Sequence, residues 1–86
     1  MPEISRFYGI IIYMFYNEHL PPHFHVKYGD SAGVFSIETL SLMNGELPPR
    51  ALGLVTEWAA LHQKELREDW ERAVSHRQLE KIPPLK

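Results

Sequence analysis

The chain of 86 residues contains no cysteine. Disulfides and thiolate zinc sites are therefore excluded, and the stability of the fold has to come from one small core. The 44% hydrophobic content, together with charges of both signs, is typical of a folded soluble domain rather than of a disordered chain. We expect a single domain over residues 1–86.

The sequence also has no hydrophobic run that approaches the roughly 18 apolar residues needed to span a bilayer. Its first six residues, MPEISR, lack the basic stretch and apolar run of a secretory signal, so we expect a cytoplasmic protein with no membrane partner. The nine Lys and Arg residues are outnumbered by eleven Asp and Glu residues, which gives a formal net charge of −2. Strong general nucleic-acid binding depends on clustered basic residues, so this charge does not favour a nucleic-acid partner.

The N-terminal half, residues 1–47, is predicted to form a β-sheet. Residues 7–16, FYGIIIYMFY, are rich in β-branched and aromatic residues and predict one strand that is apolar on both faces. Residues 17–22 contain paired prolines and predict a loop. Residues 23–28 then predict a second strand.

Turn signals divide the rest of this half. Residues 29–33 predict a turn, and residues 34–38 predict a third strand. The dipeptide at residues 44–45, Asn-Gly, is a strong turn signal, so residues 40–43 are predicted to pair briefly with residues 46–47. The simplest arrangement is an antiparallel meander of three or four strands.

The C-terminal half, residues 48–76, is predicted to be helical. It starts with paired prolines, which suit the first turn of a helix because a missing amide is harmless there. Steps of three and four residues predict one buried stripe: Ala51, Val55, Trp58, His62, Leu66, Trp70 and Ala73. A single helix of this length would measure about 42 Å. That exceeds the width of so small a domain, so we predict either a break near residues 61–63 or a protruding end.

Residues 77–86 are predicted to form an extended C-terminal arm. Together the segments predict an α+β fold in which a long or broken C-terminal helix packs on one face of the sheet. One helical layer covers only one sheet face, whereas the strand at residues 7–16 is apolar on both. We therefore expect a homo-oligomer or a small protein partner to cover the second face.

The segment PPHFHVKYG, residues 21–29, carries the strongest functional signal. Side chains alternate between the two faces of a strand, so His23, His25 and Lys27 are predicted to point to one side. The aromatic and aliphatic residues between them point to the other side and are expected to face the core. Two imidazoles and an ammonium group are then left facing solvent, a ligand or a partner.

This polar set supports two alternatives. As candidate catalytic residues, His23, His25 and Lys27 can supply the base, the acid and the cation that RNA cleavage needs. As a partner-binding surface, the same three residues are predicted to act together with Tyr8 and Tyr13.

A divalent metal site is a further alternative. The His-x-His spacing places His23 and His25 side by side, with His19 as a third ligand and Glu18 or Asp30 as an oxygen donor. Two histidines without a second ligand pair indicate a metal only weakly, and structural or partner-contact roles are favoured. We therefore predict no resident cofactor.

Four segments carry a family resemblance: ISRFYGIIIYMFYNEHLPPHFHVKYG, IETL, GELPPRALGLVTEWAALHQKEL, and DWERA with the L-x-K-I-x-P-L pattern that follows it. They resemble the bacterial family called domain of unknown function 4160, over essentially the whole chain. The most recognisable block of that family stands here as PPHFH at residues 21–25 together with Tyr28.

The resemblance implies a partner more than a reaction. Genes of this family often lie beside those of a second small family, domain of unknown function 2442, in pairs that look like toxin–antitoxin modules. This context implies a small protein partner of that type and, more loosely, a toxin-like activity on RNA, and it defines no catalytic residues. Our leading interpretation is an interaction protein of such a module, which binds its partner through the uncovered sheet face.

Overall fold

A computed structural model describes residues 2–86, which form five strands followed by two helices. Each strand pairs antiparallel with the next, in the order β1-β2-β3-β4-β5. The α+β class and the antiparallel meander are confirmed, whereas the predicted count of three to four strands is wrong. The elements are β1 (Glu3–Phe7), β2 (Ile10–Tyr13), β3 (His23–Tyr28), β4 (Ser31–Ser36), β5 (Leu42–Glu46), α1 (Pro49–Leu61) and α2 (Gln63–Val74).

The predicted single strand over residues 7–16 is in fact the end of β1, a tight turn, β2 and the first three residues of the loop after β2. Phe7 pairs with Ile10, so only Tyr8 and Gly9 connect the two strands. Both have positive φ, 48° and 80°, as the type I′ turn of a two-residue hairpin requires. Glycine adopts this conformation freely, whereas a tyrosine does so rarely. Tyr8 therefore gives no turn signal, and the composition of the segment is that of one long strand.

The turn between β3 and β4 is shorter than predicted. Tyr28 pairs with Ser31, so Gly29 and Asp30 alone connect the strands. The third predicted strand, residues 34–38, is therefore displaced towards the N-terminus, and β4 already begins at Ser31.

The turn predicted at Asn44 and Gly45 is a second correction. These residues lie inside β5, where they pair with residues 33–34 of β4. Next to this pair, β5 carries one extra residue, Met43, which makes a β-bulge. The chain turns instead at residues 37–41, so the Asn-Gly dipeptide bends a strand rather than ending one.

The helical half is broken at His62, inside the range where a break is predicted. This residue has φ −123° and ψ 25°, outside the helical region, and it separates α1 from α2. The predicted stripe is confirmed as a buried face, with His62 itself half-buried. Its buried members are Ala51, Val55, Trp58, Leu66, Trp70 and Ala73.

The sheet has one covered face and one open face. On the covered face, Phe24 of β3 meets Trp58 of α1 with ring centroids 5.9 Å apart, and both side chains are fully buried. The opposite side carries the buried pair His23–Ser36 and two cross-strand rows whose members are all exposed or half-buried, and we call these two rows the outer face. These rows are Ile11–Lys27–Ala32–Glu46 and Tyr13–His25–Val34–Asn44.

Residues 77–86 run along the covered side without regular secondary structure. The amide of Ile82 donates to the carbonyl of Ile4 at 2.8 Å, and the indole of Trp58 donates to the carbonyl of Pro83 at 2.9 Å. Ile82 is buried in the core, so this segment helps to close the covered side. Among the described residues, no helix has the length and apolar content that a membrane crossing requires.

Candidate functional site

The loop between β2 and β3 brings a carboxylate against the histidines of β3. Pro21 and Pro22 have no amide hydrogens, so strand pairing begins only at His23 and the loop before it is free to fold back. Oε1 of Glu18 lies 2.6 Å from Nε2 of His25 and 3.5 Å from Nε2 of His23. One ligand atom from each of these three residues lies within 4.8 Å of the others, and we call them the His–Glu cluster.

Hydrogen bonds fix the proton positions in this cluster. The carbonyl of Pro21, which can only accept, lies 2.7 Å from Nδ1 of His23, so this nitrogen carries a hydrogen. A neutral His23 ring therefore presents the lone pair of Nε2 towards Glu18. His25 donates its Nε2 hydrogen to the same carboxylate, in a short charge-assisted hydrogen bond.

The carboxylate of Glu18 holds a negative charge in spite of its partial burial. Burial acts to raise the pKa of this carboxyl, but the hydrogen bond from His25 and the electrostatic attraction of the two imidazoles outweigh that effect. The pKa of Glu18 is therefore lowered below its ordinary value. The cluster contains an ionised oxygen at neutral pH.

Aromatic rings hold both imidazoles in position. Tyr13 stacks on His25 with ring centroids 5.2 Å apart, and Phe15 meets His25 edge-on at 4.8 Å. Trp70 of α2 packs against His23 at 5.1 Å. These contacts restrict the rotation of each imidazole, so the two Nε2 atoms keep their direction towards Glu18.

The three residues predicted to point outward, His23, His25 and Lys27, therefore differ in how exposed they are. Lys27 is exposed and His25 is half-buried, but His23 is only 9% exposed. The cause is α2, whose Trp70 lies over the N-terminal end of β3 and covers His23. Phe24 and Val26 are buried in the core, as the alternation of the strand predicts.

The remaining candidates lie apart from the His–Glu cluster. His19 is exposed, and the cluster includes its neighbour Glu18 instead. Asp30 lies in the turn at the opposite end of β3. Tyr8 lies in the β1–β2 turn, about 17 Å along the strand from Tyr13, so the predicted partner surface would have to extend along the whole length of β2.

Three contacts of the site do not show in the sequence pattern. Glu18 was one of two alternative oxygen donors, and nothing in its loop position ranks it above Asp30. Phe15 reads as part of a strand, and Trp70 as a core residue of a helical stripe. The double proline at residues 21–22 is the one available signal, and it predicts a loop there without indicating which way the loop folds.

A shallow groove of about 220 Å³ adjoins the His–Glu cluster on the outer face. Pockets for drug-sized ligands have volumes of about 300–1,000 Å³, so this groove suits a single side chain or another small group. It is lined by Tyr13, His25, Ala32, Gly33, Val34, Asn44 and Gly45.

The chemistry open to the cluster is proton transfer, cation binding or contact with a polar group. The structure brings His23 and His25 together with Glu18, which gives an acid–base pair. Lys27 lies farther along the same face and points into solvent. The RNA-cleaving activity of His23, His25 and Lys27 stays a prediction.

Residues 9–71 match the family described as Domain of unknown function (DUF4160), which is more than half of the chain. The chain belongs to this family. The DUF4160 match runs from the β1–β2 turn into α2 and contains the whole His–Glu cluster. No match to the chain was found among the curated proteins or among the solved structures.

Proposed function

We propose that this protein is one component of a two-protein, toxin–antitoxin-like module and that it binds a small protein partner through the outer face. The observation that supports this most strongly is the open sheet face itself. Apart from Trp70 of α2, which covers His23 at the end of β3, the helices and residues 77–86 pack on the other side, and the outer face keeps apolar groups in contact with water.

The composition of the outer face suits a protein interface. Ile11, Tyr13 and Val34 are half-buried at its centre, and Phe15 beside them is 39% exposed. Burial of such apolar surface by a partner contributes about 25 cal/mol per Å². Tyrosine is enriched at interfaces, and the charge of Lys27 at the edge resembles the polar rim of a standard interface.

The size and charge of the site favour a protein over other partners. The groove beside His25 holds a side chain rather than a nucleotide, and the chain carries a formal net charge of −2. A protein partner agrees with both the small size of the groove and the net negative charge, because it can insert one side chain into the groove and cover the two rows of the outer face around it. The partner that we propose for this member of the DUF4160 family is a small protein of the domain of unknown function 2442 type. We propose that both proteins act in the cytoplasm.

Co-expression with the product of the adjacent gene tests the proposal. We expect the two proteins to copurify, and we expect Val34→Arg to reduce the copurified partner at least tenfold, because the new charge lies at the centre of the outer face. Val74→Arg is the matched control. It makes the same change at a residue of α2 that is 51% exposed, on the helical side.

Thermal unfolding of the purified variants shows whether each one is folded. A folded Val34→Arg protein that captures as much partner as Val74→Arg would contradict binding through the outer face. Loss of the partner in Val74→Arg alone would place the interface on the helical side.

A further inference from the structure

We infer that the His–Glu cluster is a binding site for a divalent first-row metal ion such as Zn²⁺, with Oε1 of Glu18 and Nε2 of His23 and of His25 as its ligands. This goes beyond the proposed function, because burial of the outer face by a partner needs no metal. It also differs from the set expected from spacing alone, in which His19 is the third ligand.

The donor atoms already converge. Both Nε2 atoms face the same carboxylate oxygen, at 2.6 Å for His25 and 3.5 Å for His23. Two imidazole nitrogens and a carboxylate oxygen form a donor set that zinc and other first-row divalent ions accept.

His23 has the outer-sphere support that is typical of a metal ligand. Its Nδ1 donates to the carbonyl of Pro21 at 2.7 Å, which leaves the Nε2 lone pair directed into the cluster. Metal-binding histidines almost always donate their other ring nitrogen in this way, because the hydrogen bond fixes the tautomer and the ring direction. Trp70 packs against the same ring and further restricts it.

The three ligand atoms lie within 4.8 Å of one another, so each separation has to change by at most about 1.5 Å to place an ion among them. Ligand atoms of a tetrahedral zinc lie about 3.3 Å apart, given metal–ligand distances of about 2.0–2.1 Å. The 3.5 Å separation of His23 and Glu18 matches this value, and the 2.6 Å separation of His25 and Glu18 has to widen by about 0.7 Å. The ion takes the place of the hydrogen on Nε2 of His25, and the neutral ring then carries its single hydrogen on Nδ1, so one proton leaves Nε2 and one is taken up at Nδ1.

Three protein ligands leave at least one position open for water or for another donor, as in catalytic zinc sites. Access comes from the outer face, because His25 is half-buried there and borders the groove. Tyr13, which also lines the groove, and Phe15 pack against the ring of His25 and hold it at this position.

Calorimetric titration with Zn²⁺ tests the site, on residues 1–86 made without a histidine tag and stripped with a chelator. We expect one Zn²⁺ per chain, a higher melting temperature with the ion, and at least tenfold weaker binding in His25→Ala and in Glu18→Gln. His19→Ala is the matched control, since it removes an exposed histidine of the same loop, and we expect it to bind like the wild type.

Three results would overturn the inference: a stoichiometry near zero, unchanged binding in both His25→Ala and Glu18→Gln, or a loss in His19→Ala as large as that in His25→Ala. If His25→Ala does not fold, Glu18→Gln decides, because it keeps the size of the side chain and removes the charged ligand.

Discussion

At the scale of single residues, Asp69 is a buried charge that links α2 to the C-terminal segment. Its Oδ1 accepts from the guanidinium of Arg72 at 2.7 Å and from the amide of Glu80 at 2.9 Å. Within residues 2–86, its Oδ2 has no hydrogen-bond partner, and the residue has no exposed surface. Burial raises the pKa of this carboxyl and outweighs the contacts with Glu80 and Arg72, which act to lower it.

We predict that Asp69→Asn changes the pH dependence of stability. A carboxyl whose folded-state pKa is raised contributes stability below its unfolded pKa of about 4, and this contribution is lost as the pH rises through the folded-state pKa. The free energy of unfolding of the wild type, minus that of Asp69→Asn, should therefore fall as the pH rises from about 4. Urea unfolding of both proteins at a series of pH values measures this difference in the free energy of unfolding. A difference that increases with pH would contradict the prediction.

At the scale of elements, two glycines differ in whether their position could accept a side chain. Gly45 in β5 has a φ of 81°, and a Cβ added there would overlap the carbonyl oxygen of Ala32 in β4. Gly53 is exposed in α1, and a Cβ added there would meet open space. The close approach of β5 to β4 at the bulge therefore depends on Gly45, whereas no contact of α1 depends on Gly53.

We predict that alanine at these two positions has effects of opposite sign. Gly45→Ala should lower the free energy of unfolding by about 1–2 kcal/mol or more, from left-handed backbone strain and the clash with Ala32. Gly53→Ala should raise it by about 0.5–1 kcal/mol, because glycine inside a helix is less favourable than alanine. Equilibrium urea unfolding compares the two variants directly. An unchanged Gly45→Ala protein would mean that β5 relaxes away from β4.

The elements that the sequence predicts well are those set by local periodicity. The stripe from Ala51 to Ala73 identifies the buried helix face. The predicted length of the helix indicates either a break near residues 61–63 or a protruding end, and the structure has the break, at His62. Strand boundaries were predicted less well, because they depend on backbone conformations that residue type indicates only weakly. Tyr8 adopts a positive φ inside a hydrophobic run, and Asn44 and Gly45 form part of a bulged strand rather than a turn.

The contacts of the candidate site likewise divide into those that local periodicity predicts and those that depend on how the chain folds. Alternation along β3 correctly separates His25 from the buried Phe24, because the period of a strand is a local property. The contact of Glu18 with His25 depends on how a loop closes, and the cover of His23 by Trp70 depends on how α2 packs on the sheet. Neither contact leaves a periodic signal, so both require the folded chain.

At the scale of the whole molecule, the packing is one-sided. α1, α2 and residues 77–86 pack on one face of the sheet, and only Trp70 of α2 reaches His23 at the end of β3. Trp58 of α1 contacts Phe24 of the sheet and donates a hydrogen bond to the carbonyl of Pro83. The outer face presents Tyr13, His25 and Val34 to solvent, with the His–Glu cluster at its edge. A partner seated on that face would complete a second layer and would change the surroundings of His25.

The imidazole NMR signals of His25 and His62 test this claim most directly. His25 lies on the outer face, whereas His62 packs against Trp58 on the helical side, with ring centroids 5.6 Å apart. When the purified product of the adjacent gene is added to the labelled chain, binding at the outer face predicts that the His25 signals shift or broaden and the His62 signals stay in place. A change at His62 with His25 unaffected would contradict it.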